Sequence, residues 1–218
     1  MNTFRNFLTG LIGVGAAMMA TSASALPQGW SDTLPAWTAT ASSCSVDESS
    51  AGKYEFDKGQ FRFLGTNFSD VAGRSRLPIT VRCNVTPMYD YVPAFTTPPP
   101  DPGGISITTP ASWKSVKWNA LVVGYHDPDG MGTDSQFTAT LKKMNRATFA
   151  ETNVVTFDSN TKAVLIPNQD VATFSQAIDF QKYEYYVEIN LVRTGAAATT
   201  PVAYSVRLTN GSVYTPPG

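Results

Sequence analysis

Apolar residues alternate with polar ones through much of the chain, and this period of two is the feature that most limits the possible fold. The alternation is clear in residues 79–85, 183–191 and 203–208. Successive side chains of a β-strand point to opposite faces of the sheet, so the pattern is typical of strands with one buried face. No run of about ten residues has a convincing helical period of 3.6. The sequence therefore predicts an all-β protein.

The spacing of these segments favours a single β-sandwich. About eight to ten strands joined by turns fit residues 53–210, and a jelly roll is the predicted topology. Residues 118–125 are apolar on both faces, which indicates a central strand. The short run 163–166 is a further strand candidate, and residues 170–180 fit either a short helix or a strand. Their neighbours favour the strand. Residues 211–218 form a C-terminal tail.

The N-terminus has the organisation of an export signal. Arg5 precedes an apolar stretch over residues 7–20, and Ala23-Ser24-Ala25 offers the small residues that a signal peptidase reads. The stretch is shorter than the roughly 20 residues that span a bilayer, although a short membrane anchor is the alternative. We expect residues 1–25 to be a signal peptide, with no membrane span after cleavage. The mature protein is then secreted or periplasmic.

The chain contains two cysteines, Cys44 and Cys83. In an exported chain this number predicts one disulfide bond, and free thiols or metal ligands are the alternative. Cys44 lies in residues 26–52, a segment rich in Ser, Thr, Ala and Pro. We interpret this segment as an N-terminal arm that packs through Trp30 and Trp37 and adds at most two edge strands.

Residues 87–110 interrupt the strand pattern with a proline-rich stretch. Proline lacks the backbone donor that a central strand needs, so this stretch cannot lie inside a sheet. It is either a linker between domains or a long surface loop. Strand patterns on both sides favour the loop, and long loops in compact domains are often functional.

The inventory of charged and catalytic residues excludes several functions. The formal net charge is −1, which lacks the basic excess of a nucleic-acid-binding protein. The only histidine, His126, is expected to donate a hydrogen bond to a loop carbonyl or carboxylate at a strand end. Glu184 and Glu188 share a strand face about 13 Å apart, too far for a glycosidase pair. No residue is predicted to be catalytic.

One loop has the composition of a cation site. Asp127, Asp129 and Asp134 lie close together among Pro128, Gly130 and Gly132. The segment resembles the opening of calcium loops of the Asp-x-Asp-x-Asp-Gly type, but its glycine comes early and no Glu closes it. The alternative is a plain turn, in which Asp, Pro and Gly are favoured for their backbone geometry. Calcium is the one cofactor that the sequence suggests.

Aromatic residues provide a possible ligand platform. Trp113, after the proline-rich stretch, and Tyr186, between Glu184 and Glu188, are predicted to be exposed, whereas Trp118 belongs in the core. The leading hypothesis is an exported, non-enzymatic binding module for a ligand, best a saccharide, or for a cell-surface or extracellular protein. The alternatives are a structural or assembly subunit and a carboxylate-dependent hydrolase. Residues 53–210 have the general look of small exported bacterial β-sandwich proteins.

Overall fold

Two antiparallel sheets pack face to face and enclose the core. The computed structural model describes residues 36–64, 78–98, 103–193 and 200–210. The predicted signal peptide, Trp30 and the C-terminal tail lie outside these residues. The all-β sandwich is confirmed. Within the described ranges, no helix is long and apolar enough to cross a membrane.

The first sheet has six strands. Its order is β13 (Asn168–Thr173), β10 (Ala120–His126), β15 (Val202–Thr209), β4 (Gln60–Phe63) and β3 (Tyr54–Asp57), with β1 (Trp37–Thr40) also paired to β15. A two-residue turn joins β3 to β4. Lys58 and Gly59 both have positive φ, 49° and 91°, as this tight hairpin turn requires.

The second sheet has five strands. Its order is β12 (Glu151–Asp158), β11 (Ser135–Asn145), β14 (Tyr183–Arg193), β5 (Ile79–Asn84) and β2 (Ser45–Val46). The chain passes between the sheets from β10 to β11, from β12 to β13, from β13 to β14 and from β14 to β15. This connectivity does not confirm the predicted jelly roll.

The core lies between the inner faces of the two sheets. β10 is flanked by β13 and β15, so residues 118–125 include a central strand as predicted. The rings of Tyr125, Phe137 and Phe157 meet with centroids 5.0–6.0 Å apart. Alternate residues of the long strands complete the dry layer: Leu121, Val123, Leu141, Val187, Ile189, Leu191, Val206 and Leu208.

Two short strand predictions were wrong. Residues 163–166 have no strand, and the strand predicted over 170–180 ends at Thr173. Phe174, Ile178 and Phe180 are nevertheless buried, because an irregular backbone brings their side chains to the core. Apolar spacing reports which side chains are buried, but here it does not report the backbone conformation that buries them.

The N-terminal arm joins the two sheets. β1 pairs with β15 in the first sheet, and β2 pairs with β5 in the second, so the arm supplies two edge strands. Trp37 is buried against the core. The predicted Cys44–Cys83 disulfide is confirmed, and it ties the segment between β1 and β2 to β5. Such a bond is typical of oxidising compartments.

The proline-rich region forms a hairpin instead of the predicted loop. β6 (Tyr89–Val92) pairs with β9 (Ser112–Ser115), and β7 (Phe95–Thr97) pairs with β8 (Ile107–Thr109). The register is the same in both ladders, since the numbers of paired residues always sum to 204. We call residues 89–98 and 103–115 the aromatic hairpin. Its prolines lie between and beyond the short strands, where no ladder hydrogen bond is lost.

Candidate functional site

The aspartate loop connects β10 to β11 and is held together by its own carboxylates. Asp127 follows β10, is fully buried, and accepts a hydrogen bond from the hydroxyl of Ser159. Asp129 folds back into the loop, where its Oδ2 accepts the backbone N–H groups of Asp134 at 2.7 Å and Ser135 at 3.1 Å. The Asp129 side chain therefore closes the turn that starts β11.

The structure brings Asp127 and Asp129 together, whereas Asp134 contributes its backbone N–H and is exposed. Burial, with help from the neighbouring Asp129 carboxylate, raises the pKa of Asp127 to about 6, against the opposing hydrogen bond from Ser159. Among the described residues, no group of three or more His, Cys, Asp or Glu side chains could hold a metal ion. Calcium binding by this loop stays a prediction.

His126 and Gly130 hold the aspartate loop against Leu165, which lies in the segment between β12 and β13. The Nε2 of His126 donates to the carbonyl of Leu165 at 3.1 Å, the kind of contact expected from the sequence. Gly130 has φ +61°, and a Cβ there would lie 3.0 Å from the Leu165 side chain. Glycine is therefore required for both backbone conformation and space. These contacts explain by structure alone why His126 and Gly130 occur at these positions of the loop.

Tyr186 lies on the outer face of the second sheet, half-buried among polar partners. Burial raises its pKa to about 12, and its hydrogen bond to Glu151 acts in the same direction. The Nζ of Lys142 lies 6.0 Å from the ring centroid. The polar groups around Tyr186 thus pair with one another within the sheet.

Glu188 is the centre of this outer-face network. It accepts from Lys142 Nζ at 2.7 Å and from Arg82 Nε at 2.9 Å, and Arg82 also binds Asp47. Although burial alone raises the pKa of Glu188, the hydrogen bonds from the two cations lower it overall. Hydrogen bonds between charged groups are the stronger class, so Glu188 links β14 to both neighbouring strands.

Replacing Glu188 by Gln is expected to destabilise the protein by about 1–2 kcal/mol at pH 7, because Lys142 and Arg82 lose a charged acceptor. Glu184→Gln is the matched control. Its ion pair with Arg146 is more exposed on both sides and contributes less. Urea unfolding measures both variants, and equal losses would contradict the central role of Glu188.

The aromatic hairpin carries the most exposed pair of aromatic side chains among the described contacts. Tyr91 and Trp113 are opposite each other in the ladder, with ring centroids 5.0 Å apart and planes inclined at 53°. Their exposures are 56% and 68%. At the base of the hairpin, Tyr89 meets Phe180 of the core at 6.0 Å. One end of the hairpin is thereby anchored while its aromatic pair faces solvent.

Exposed apolar groups continue toward the tip of the hairpin. The register is unchanged between the two ladders, and Phe95 and Ile107 lie an even number of residues from Tyr91 and Trp113. All four positions therefore belong to the same face of the hairpin. Phe95 and Ile107 are both largely exposed. Between Val92 and Ser112 the sequence contains a single charged residue, Asp101. The outer part of the hairpin, residues 92–98 and 103–112, is therefore uncharged, with Phe95 and Ile107 exposed among Ser and Thr residues.

Sequence reasoning identified Trp113 but did not pair it with Tyr91. A signal was present, since Thr-Thr-Pro occurs at residues 96–98 and again at 108–110, on either side of Gly103-Gly104. Two similar segments around a glycine pair favour a hairpin. A turn centred on Gly103-Gly104 would place Ala94 opposite Trp113, so this signal favours a hairpin but does not give the register that pairs Tyr91 with Trp113.

A cleft of about 260 Å³ lies beside the disulfide, at the edge where β1 and β5 approach each other. Trp37, Arg82, Asn84 and both cysteines line it. Its charged group, Arg82, is already held by Asp47 and Glu188. The charged group of the cleft is therefore already paired within the protein, whereas the rings of Tyr91 and Trp113 on the aromatic hairpin are exposed.

The fold and the exposed rings together describe a β-sandwich that carries an aromatic hairpin. Comparisons with protein-family models, with curated proteins and with solved structures gave no match.

Proposed function

We propose that this chain is an exported, non-enzymatic binding module that recognises a saccharide through Tyr91 and Trp113. The observation that carries the proposal is the side-by-side exposure of these two rings on an anchored hairpin. Exposed apolar surface on a soluble scaffold marks interaction sites, and aromatic residues dominate the energetics of such sites.

The chemistry of the pair suits a neutral sugar. Aromatic rings combine a large apolar surface with low conformational freedom, and the Tyr hydroxyl and Trp N–H add polar groups at the rim. The C–H groups of a pyranose ring can stack on such a face. The inclined planes of Tyr91 and Trp113 form a corner that contacts a ligand from two sides.

Three further observations support a non-enzymatic, exported module. Asp127 is fully buried, so its carboxyl group has no direct access to a substrate. His126 is engaged with the Leu165 carbonyl. The disulfide is typical of chains that leave the cytoplasm, in agreement with the predicted signal peptide.

Glycan arrays followed by titration calorimetry test the proposal. The wild-type protein is expected to bind a neutral glycan, and Trp113→Ala is expected to weaken binding by about tenfold or more, which corresponds to about 1.4 kcal/mol. Tyr91→Ala is expected to act in the same direction, because either ring alone loses the corner.

Phe149→Ala is the matched control. Phe149 is also a highly exposed aromatic residue, but it lies in the turn between β11 and β12. Its removal should leave glycan binding unchanged. No glycan binding by the wild-type protein, or equal affinities for wild type and Trp113→Ala, would disprove the saccharide proposal.

A further inference from the structure

We infer that Lys143 and Lys182 form a second binding site around the ring of Tyr183, and that this site takes the anionic group of an acidic saccharide. The Nζ atoms of the two lysines lie 4.5 Å and 5.4 Å from the centroid of the ring. Both ammonium groups are therefore beside one ring, where their flexible side chains can contact one carboxylate or sulfate group together. The inference rests on the proposed saccharide binding and adds the class of sugar to it.

The two ammonium groups carry charge that the protein does not neutralise. Neither forms an ion pair with a described residue. Two nearby acidic side chains are engaged elsewhere. Glu184 pairs with Arg146 at 2.8 Å, and Asp179 accepts backbone N–H groups of the turn before β14, including that of Lys182 at 3.2 Å. The site thus offers two positive charges to an anionic ligand.

The position of Lys143 in β11 holds its ammonium group at the mouth of the sandwich. Lys143 is opposite the buried Tyr185 in the ladder, and the positions two, four and six residues before it are buried. It therefore continues the inner face of the strand to its open end. A lysine at such a position covers apolar surface with its stem and extends its charge to water.

The backbone beneath Lys182 is fixed from two sides. The N–H of Arg146, in the turn after β11, donates to the carbonyl of Lys182 at 3.1 Å. The N–H of Tyr183 donates to the carbonyl of Asp179 at 3.0 Å. The end of β11 and the start of β14 are thereby tied together, so the ring and the two lysine backbones are in place before a ligand arrives.

This site lies at the same end of the sandwich as the aromatic hairpin. Ring contacts lead from Tyr183 to Tyr185 at 6.3 Å, from Tyr185 to Phe180 at 5.3 Å, and from Phe180 to Tyr89 at the base of the hairpin at 6.0 Å. Stacking on aromatic rings does not require a charge on the sugar, whereas ammonium groups favour an anionic one. The two lysines therefore select for acidic saccharides.

An array that displays neutral oligosaccharides beside their uronic-acid-bearing and sulfated counterparts tests the inference, with titration calorimetry on the best-bound pair. The wild-type protein is expected to bind an acidic member about threefold to tenfold more tightly than its neutral counterpart, because two exposed ion pairs contribute about this much. The uronic-acid and sulfate arms show which oxyanion is preferred. The preference should fade as the salt concentration rises.

Lys143→Gln/Lys182→Gln should remove the preference and leave the affinity for the neutral member unchanged. Lys53→Gln/Lys58→Gln is the matched control. It removes the same charge beside β3 of the other sheet, and it should keep the preference. Equal loss in both double variants would assign the preference to overall charge and overturn the site.

The outcomes separate this inference from the saccharide proposal. If a neutral glycan binds through Trp113 and wild type shows no acidic preference, the inference is overturned and the saccharide proposal stands. The same holds if the preference survives in Lys143→Gln/Lys182→Gln. If the wild-type protein binds no glycan on the array, neutral or acidic, both proposals are overturned.

Discussion

Asp127→Asn is expected to stabilise the protein at pH 7 by about 1–3 kcal/mol, although it removes a buried hydrogen-bonding carboxylate. Burial and Asp129 raise the pKa of Asp127 to about 6 from an ordinary value of 3.8. Each pH unit of such a shift corresponds to about 1.4 kcal/mol, so the ionised form is penalised in the folded state. Asparagine keeps an acceptor for Ser159 and carries no charge.

The sign of the pH dependence follows from the same shift. Between about pH 4 and pH 6 the folded protein binds more protons than the unfolded chain, so stability falls as pH rises through this window. Above it, the penalty is constant. In Asp127→Asn this contribution disappears, and the stability curve should be flatter from pH 4 to pH 6.

Urea unfolding at several pH values measures the effect. Asp134→Asn is the matched control in the same loop, because Asp134 is exposed whereas Asp127 is fully buried. It should change stability by less than about 0.5 kcal/mol. A loss of stability in Asp127→Asn at pH 7 would contradict the expected penalty.

Calcium gives the same variant a second use. If the aspartate loop binds calcium, millimolar calcium raises the melting temperature of wild type, a chelator reverses the rise, and Asp127→Asn loses it. If the loop is a plain turn, calcium leaves both melting temperatures unchanged.

Removal of the Cys44–Cys83 disulfide is expected to cost about 4 kcal/mol, the largest single loss among these variants. The bond closes a loop with a sequence separation of 39 residues, and the chain-entropy estimate for such a loop gives this value. Cys44→Ala/Cys83→Ala is the suitable variant, because both cysteines are buried and serine would place hydroxyl groups in the core.

The structure also predicts which part of the protein loosens first. Cys44 follows the turn through which the chain passes from β1 to β2, and β2 has only two residues. Hydrogen exchange should therefore accelerate over residues 37–46 before it does in β10 or β14. Dithiothreitol is the control, since it should destabilise wild type and leave the double variant unchanged. A loss below about 1 kcal/mol would contradict the estimate.

The sequence by itself determined the strands whose faces differ in polarity. In β14 the buried residues fall at every second position, and in β5 the buried apolar residues do, as the alternation predicted, because the two faces of a strand meet different environments. The Cys44–Cys83 bond followed from the number of cysteines in a chain with a predicted export signal. Both inferences rest on local pattern or on counting, which requires no knowledge of how distant segments meet.

Only the tertiary structure decided where the candidate functional surfaces lie. The pairing of Tyr91 with Trp113 and the hydrogen bond between Tyr186 and Glu151 join segments that are separate in the sequence. The burial of Asp127 depends on which other segments cover it. Phe174 and Phe180 make the same point for the core, since they are buried without belonging to a strand. Alternation records which side of a strand avoids water, but the choice of partner depends on the summed packing of the whole sandwich.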